Sequence, residues 1–283
     1  MAETEALPEP PALAEQVFKA LEAKAALPLG TMIVLAVLAG MYIGFGGLFA
    51  TVALAGADGL PFGVPQALAG LVFSVGLALV LIAGAELFTG NMLMAGPLVA
   101  GRVRPAQVIS AFAIVYCANF AGSLLLAGIV LMAGVHEAGG GSVARAALEL
   151  GATKTGNGFM TTFASGILAN MLVCLGVWLG YAGRTVTQKI AGLLLPIAAF
   201  VAAGLEHSVA NMYLLPYAYM VQLATEPAGG PLSIPAMVGN IVPTTLGNMV
   251  GGALVALAYW YAFAERLKAK APDGFAARQK APA

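Results

Sequence analysis

The stretch GLEHSVANMYLLP, residues 204–216, places Glu206 and His207 inside an otherwise apolar run. Ionisable side chains are costly in a membrane interior, and where they occur they usually line a path for ions or protons. A histidine can donate a hydrogen bond, accept one, or change its charge near neutral pH. A glutamate can instead accept backbone N–H groups and fix the local chain. We therefore expect a functional role for His207 and a chain-anchoring role for Glu206.

The composition indicates that the elements around this stretch span a membrane. The chain has 283 residues, of which 60% are hydrophobic and only 9% are charged. That is too little charge to solvate the surface of a globular protein of this size. The formal net charge is zero and basic residues form no long block in the hydrophobic body, so no nucleic-acid partner is expected. Cys117 and Cys174 lack the paired spacing of a metal site, and no metal or other cofactor is expected.

Hydrophobic windows predict six membrane-spanning helices, of which the second and the fifth are broken. Five uncharged windows are long enough to cross a bilayer: 29–54, 60–85, 105–135, 155–183 and 241–264. A sixth window, 190–225, is interrupted only at Glu206 and His207. The second window meets Glu86 and then continues apolar to residue 101. An even number of spans places both termini on the same side of the membrane.

The distribution of basic residues predicts that this side is the cytoplasm. The chain has 13 lysines and arginines, and on this topology all but Arg145 and Lys154 fall on the side of the termini. Leu13, Val17 and Leu21 recur at helical spacing in the first segment. We expect a cytoplasmic amphipathic helix within residues 1–28, a membrane domain at 29–264 and a cytoplasmic tail at 265–283. No cleavable signal peptide is expected.

Two pairs of short motifs suggest an internal repeat. The broken spans read AELFTGNMLM and LEHSVANMYL, each with a glutamate followed five residues later by Asn-Met. Spans three and six carry a second pair, ANFAGSL and GNMVGGA. Because three is an odd number, two three-span halves must enter the membrane from opposite sides, so the broken helices meet near its midplane. The free backbone groups at such breaks must face protein or a polar cavity, which marks a transport path.

These motifs resemble the formate/nitrite transporter family. The resemblance covers about residues 25–265 and is most specific in AELFTGNMLM, GILANMLVCLGVW, GLEHSVANMYLLP and NIVPTTLGNMVGG. It implies an all-α, aquaporin-like protein of the plasma or inner membrane, assembled as a homopentamer among lipids, in which each protomer has its own pore. NMYLLP and NIVPTTLGN are more similar to the formate branch of the family than to the nitrite branch.

The resemblance also implies roles for individual residues. His207 would be the central pore histidine, Thr89 its hydrogen-bonding partner on the loop of the second span, and Asn170 a near neighbour. Lys154 matches a lysine that attracts anions to the vestibule. Apolar constrictions on either side of the histidine are implied for Phe73, Leu77, Leu87, Phe88, Val173 and Phe200. From the repeat itself, we expect the broken loops to be anchored by Glu86, Glu206, Asn91 and Asn211.

The expected function is passage of small monovalent anions of weak acids, most of all formate, with nitrite or hydrosulfide as alternatives. Desolvating an anion costs far more than desolvating its neutral acid, so we expect His207 with Thr89 to donate a hydrogen bond or a proton. A channel for neutral solutes is disfavoured because paired Asn-Pro-Ala motifs are missing, and an ammonium channel because a second pore histidine is missing. A membrane-embedded enzyme is the alternative from another class, but no catalytic partner or metal-spaced set accompanies His207. No enzymatic activity is expected.

Overall fold

The computed structural model describes residues 7–225 and 230–263, and this part of the chain is helical without strands. The expected tail at 265–283 and the first six residues lie outside these ranges. The helices, in chain order, are α1 (Pro10–Ala25), α2 (Leu29–Leu54), α3 (Gly63–Ala83), α4 (Phe88–Asn91), α5 (Ala95–Val99), α6 (Pro105–Met132), α7 (Ala138–Gly156), α8 (Phe159–Ala182), α9 (Val186–Ala202), α10 (Ser208–Thr225) and α11 (Ile234–Ala262).

Five of these helices, α2, α3, α6, α8 and α11, are 21–29 residues long and have a mean hydropathy of 1.6–2.3 in their most apolar segment. At 1.5 Å rise per residue they are long enough to cross the hydrocarbon core of a bilayer. The windows read from the sequence match them apart from their ends. α7 was not predicted, because Arg145, Glu149 and Lys154 lower the hydropathy of its segment.

The chain is interrupted twice in the way that the two glutamates suggest. After α3, Gly84 takes the left-handed conformation (φ 77°), and α4 begins at Phe88. After α9, Gly204 does the same (φ 67°), and α10 begins at Ser208. Glycine adopts this conformation without the steric cost that a Cβ would bring. Each left-handed glycine therefore ends one helix two residues before a glutamate and redirects the chain into the protein interior.

Helices α2 and α6, and likewise α8 and α11, approach one another at backbone contact. A Cβ added to Gly122 of α6 would lie 2.0 Å from the carbonyl oxygen of Val37 in α2. A Cβ added to Gly251 of α11 would lie 2.2 Å from the carbonyl oxygen of Ile167 in α8. Small residues allow such close approach of helices in membranes, where dispersion contacts replace the hydrophobic effect as the force between helices.

Replacing Gly251 by alanine is expected to lower the thermal unfolding midpoint, because the new methyl group must push two backbones apart. Overpacking of this kind typically costs about 1–3 kcal/mol. Gly239→Ala on the same helix is the matched control, since a Cβ there would meet no atom within 4 Å. That change should be neutral or slightly stabilising, because alanine favours helices over glycine. Equal midpoints for the two purified variants would contradict the close contact.

Helix α1 lies against one end of the helical body. It buries an apolar face that includes Val17 and Phe18, and its glutamates bind Arg102 in the segment after α5. Nη1 of Arg102 is 2.8 Å from a carboxylate oxygen of Glu15, and Nε is 2.5 Å from Glu22. Burial raises the pKa of the Glu22 carboxyl above its ordinary value, and the charge of Arg102 opposes that rise. These ion pairs hold α1 against the segment that follows α5.

Candidate functional site

The two broken segments meet through Thr89 and His207, which are 118 residues apart in the chain. Oγ1 of Thr89 lies 2.9 Å from Nε2 of His207, and both side chains are buried. Thr89 belongs to the short helix α4, and His207 immediately precedes α10. The site is thus assembled by the starts of two helices that follow the two breaks.

The hydrogen bonds of His207 determine which ring nitrogen carries its proton in the neutral form. The backbone N–H of Ala210 donates to Nδ1 of His207 at 3.0 Å, so the ring caps the first turn of α10. Because a backbone N–H is always a donor, Nδ1 must be the acceptor. The proton of the neutral imidazole is then on Nε2, which donates it to Oγ1 of Thr89. The hydroxyl proton of Thr89 is left free to point to another acceptor.

Asn119 of α6 holds the first break in place. Its Oδ1 accepts the backbone N–H of Phe88, the first residue of α4, at 2.9 Å. Its Nδ2 donates to the carbonyl oxygens of Ala36, at 2.7 Å, and Glu86, at 2.9 Å. The amide therefore satisfies the N–H of Phe88 and the carbonyl of Glu86, which the interruption of the helix leaves without helical partners, and joins them to α2.

Asn248 of α11 makes the equivalent set of bonds at the second break. Its Oδ1 accepts the backbone N–H of Ser208, the first residue of α10, at 2.8 Å. Its Nδ2 donates to the carbonyl oxygens of Gly166, at 2.8 Å, and Glu206, at 2.9 Å. In the sequence, both asparagines stand out only because spans three and six carry the paired motifs ANFAGSL and GNMVGGA. The signal that could have identified their role is the need of each break for a buried donor and a buried acceptor.

Glu86, at the first break, binds side chains of α1 and α4. Nζ of Lys24, from α1, lies 2.5 Å from Oε1 of Glu86, and Nδ2 of Asn91 donates to Oε2 at 2.9 Å. Asn91 was expected at this position, whereas Lys24 was not. The carboxylate is buried, so these two donors supply the compensation that a buried charge requires.

Glu206, at the second break, is bound by three donors that all contact its Oε2. They are Nζ of Lys154 at 3.1 Å, Nδ2 of Asn211 at 2.5 Å and Nδ2 of Asn240 at 3.3 Å. Asn240 also donates to the backbone carbonyl of Lys154 at 2.9 Å. It begins the motif NIVPTTLGNMVGG, but no pattern in the sequence indicated this role. Lys154 is 8% exposed and its charge is compensated by Glu206, so it is not a free cation.

Asn170 of α8 contacts the backbone of Thr89 and makes no hydrogen bond to His207. Its Nδ2 donates to the carbonyl oxygen of Thr89 at 3.2 Å and to that of Asn248 at 2.6 Å. Sγ of Cys174, one turn further along α8, lies 3.6 Å from the same carbonyl oxygen of Thr89. Asn170 therefore links the loop of the first break to the asparagine that braces the second.

Two cavities lie near this site: one is lined by His207, the other by Gly90 and Asn91, which follow Thr89. Among the described residues they share no lining residue, and Thr89 lines neither. The larger, here called the vestibule, has a volume of about 400 Å³ and reaches Phe73, Phe200 and His207. The smaller, of about 60 Å³, is lined partly by Leu21 and Lys24 of α1. The rings of Phe73 and Phe200 meet edge to face at 5.5 Å between centroids, and Phe200 stacks on the His207 ring at 5.7 Å.

The apolar residues expected to constrict the path fall into three groups. Phe73 and Phe200 line the vestibule, and Leu87 lines the smaller cavity. Leu77 and Val173 are buried and line neither cavity. Phe88 is also buried, and its ring packs on Phe112 and Tyr116 of α6, at 6.1 and 4.8 Å between centroids.

Comparison with known proteins gives a consistent result. The sequence model described as formate/nitrite transporter matches residues 11–261. The formate channel FocA of Escherichia coli (strain K12) is 33% identical over 239 residues, which cover 80% of this chain and 84% of the relative. The probable formate transporter of Methanothermobacter thermautotrophicus is 40% identical over 260 residues, covering 86% and 92%.

Solved structures resemble the fold over most of its length. A pentameric formate channel with formate bound has a TM-score of 0.77 and 33% identity, covering 83% of this chain and 98% of the other. An ion channel of the FNT family has a TM-score of 0.75 and 28% identity, covering 88% and 96%.

Proposed function

The chain belongs to the formate/nitrite transporter family, and we propose that it carries formate across the membrane through a pore within each protomer. The family consists of transporters, so the chain is a transporter and not an enzyme, and its apolar helices make it an integral membrane protein. Formate appears in the names of several relatives, among them the formate channels FocA of Escherichia coli and Haemophilus influenzae. The observation that carries the proposal is the hydrogen bond between Thr89 and His207, of which His207 lines the vestibule.

In the proposed architecture, six spans form two inverted three-helix repeats of aquaporin-like fold. The first half would comprise α2, the broken span α3 to α5, and α6, and the second half α8, the broken span α9 to α10, and α11. The matching bonds of Asn119 and Asn248 support this division, because each asparagine joins the break of its half to two helices of the same half. A homopentamer is part of the proposal, because a formate channel of the same fold is pentameric.

The proposed orientation has both termini in the cytoplasm and the vestibule on the opposite side. Arg145 and Lys154, both on α7, are the basic residues of the vestibule side, and Lys154 lines the vestibule. α1 and the smaller cavity lie at the other end. The division into an N-terminal helix, a membrane domain at 29–264 and a tail at 265–283 is part of the same proposal.

The proposed passage begins with formate in the vestibule. Phe73 and Phe200 remove most of its water at the inner end, which would be costly for a bare anion. Since Nε2–H of His207 is donated to Oγ1 of Thr89, the Thr89 hydroxyl has its own proton to offer to the ion. The hydrogen bond from Thr89 to formate replaces one that formate loses when its water is removed. A proton taken up with the ion would lower the cost further, because the neutral acid crosses an apolar constriction more easily.

Glu86, Glu206, Asn91, Asn211 and Asn170 act in this proposal by holding the loops. Leu77, Leu87, Phe88 and Val173 would keep water out of the segment between the two cavities. Lys154 would lower the energy of an anion in the vestibule, although its salt bridge to Glu206 reduces that effect.

Uptake of labelled formate into proteoliposomes of the purified protein tests the proposal. We expect uptake above that of protein-free liposomes, and uptake that rises as pH falls, because the neutral fraction of the weak acid then increases. Nitrite, hydrosulfide and acetate serve as competitors at each pH. If nitrite or hydrosulfide passes faster than formate, that ion is the substrate in place of formate. Absence of any flux would overturn the proposed transport function.

A further inference from the structure

One residue of the vestibule has a charge opposite to that expected for a path taken by anions. Glu149 is exposed and lines the vestibule from α7, together with Thr153 and Lys154 of the same helix. A carboxylate there repels anions. The two other glutamates near the path, Glu86 and Glu206, are buried and bound by lysines, whereas Glu149 is exposed.

The ionisable side chains that line the vestibule, among the described residues, are Glu149, Lys154, Glu206 and His207. Lys154 and Glu206 form a salt bridge at 3.1 Å, so their charges compensate. His207 accepts a backbone N–H at Nδ1, which is the hydrogen bond of a neutral ring. Arg145 precedes Glu149 by four residues on α7, but the described part of the chain has no ion pair between them within 4 Å. The lining therefore has a net negative charge, carried by Glu149.

From this balance we propose that Glu149 is a charge filter at the entrance of the path. It lowers the concentration of free anions in the vestibule, and so raises the formate concentration that half-saturates transport. The inference rests on the proposed function. Glu149 does not touch the Thr89–His207 pair, so it acts on entry into the vestibule and leaves the passage beyond it unchanged.

The expected size of the effect follows from electrostatics in a water-filled cavity. A unit charge about 10 Å from an anion changes the local concentration of that anion by about two- to fivefold at low salt. Because the Debye length falls to about 8 Å at physiological ionic strength and to about 3 Å at 1 M salt, added salt should remove most of the effect.

The test compares formate uptake by proteoliposomes containing the wild type, Glu149→Gln or Glu149→Lys, at fixed pH and at low and high ionic strength. For Glu149→Gln we expect a half-saturating formate concentration about two- to fivefold lower at low salt, with an unchanged maximal rate. Glu149→Lys should shift it further in the same direction. Both shifts should disappear at high salt. A change in folding or at the Thr89–His207 pair would not depend on salt in this way.

Glu137→Gln is the matched control, because the Glu137 side chain is 79% exposed and does not line the vestibule. It should transport formate like the wild type at every salt concentration. If Glu149→Gln and Glu149→Lys also match a wild type that carries formate, the charge filter is overturned and the proposed function stands. If the wild type carries no formate, the proposed function fails, and the charge filter fails with it.

Discussion

Replacing Thr89 by valine is expected to reduce formate flux by about 10- to 150-fold, while Thr89→Ser keeps most of it. A hydrogen bond to a charged group contributes about 1.5–3 kcal/mol, and valine removes this bond at the point where the ion has lost its water. Valine has nearly the shape of threonine, and the bond from Asn170 goes to the backbone oxygen of residue 89, so the loop should stay in place. The measurement is the initial rate of labelled formate uptake.

The serine variant separates the hydroxyl from the rest of the side chain. Serine retains the donor and loses only a methyl group, so its rate should stay within a few-fold of the wild type. Equal rates for Thr89→Val and the wild type would contradict the donor role of the hydroxyl, and the ion would then have to bind the Nε2–H of His207 directly. Thermal unfolding midpoints of both variants serve as the control for folding.

The sequence predicted the membrane spans well because their signal is local. A run of about 20 apolar residues has few alternatives to a membrane helix, and a glutamate inside such a run is costly enough to mark a break. Glu86 and Glu206 therefore indicated both interruptions without knowledge of any contact. Helix ends were less accurate: α11 begins at Ile234, where Ser233 caps it, seven residues before the window read from the sequence.

The contacts of the site could not be read in the same way. The approach of Thr89 to His207 came only from the resemblance, since no local pattern joins residues 118 positions apart. Lys24 and Asn240 bind the two buried glutamates from distant helices, and nothing in their own neighbourhoods predicts it. A helix that is apolar on all sides also gives no indication of which face lines a cavity. For that reason the sequence could not separate Phe73, which lines the vestibule, from Phe88, which packs on α6.

Replacing Asn248 or Asn119, the asparagines that brace the two breaks, by leucine is expected to lower the thermal unfolding midpoint by more than about 5 °C. Asn248→Leu leaves the N–H of Ser208 and the carbonyl of Glu206 without the partner that each has now. Each buried polar group that loses its partner costs about 1–3 kcal/mol, and 1 kcal/mol corresponds to about 2–4 °C in a chain of this size. The midpoint can be followed by the fluorescence of the two tryptophans.

Asn119→Leu should have a similar effect, because it removes the equivalent bonds at Phe88 and Glu86. Asn157→Leu is the control, since Asn157 is an exposed asparagine of the vestibule lining. Asn248→Asp sharpens the test: its carboxylate can still accept the N–H of Ser208, but it faces the two carbonyl oxygens that the amide now donates to, so it should destabilise as well. Midpoints within about 2 °C of the wild type for both leucine variants would contradict this role of the asparagines. A side chain that satisfies otherwise unpaired buried groups cannot be removed without cost, so the breaks would then be held by the glutamate clusters instead.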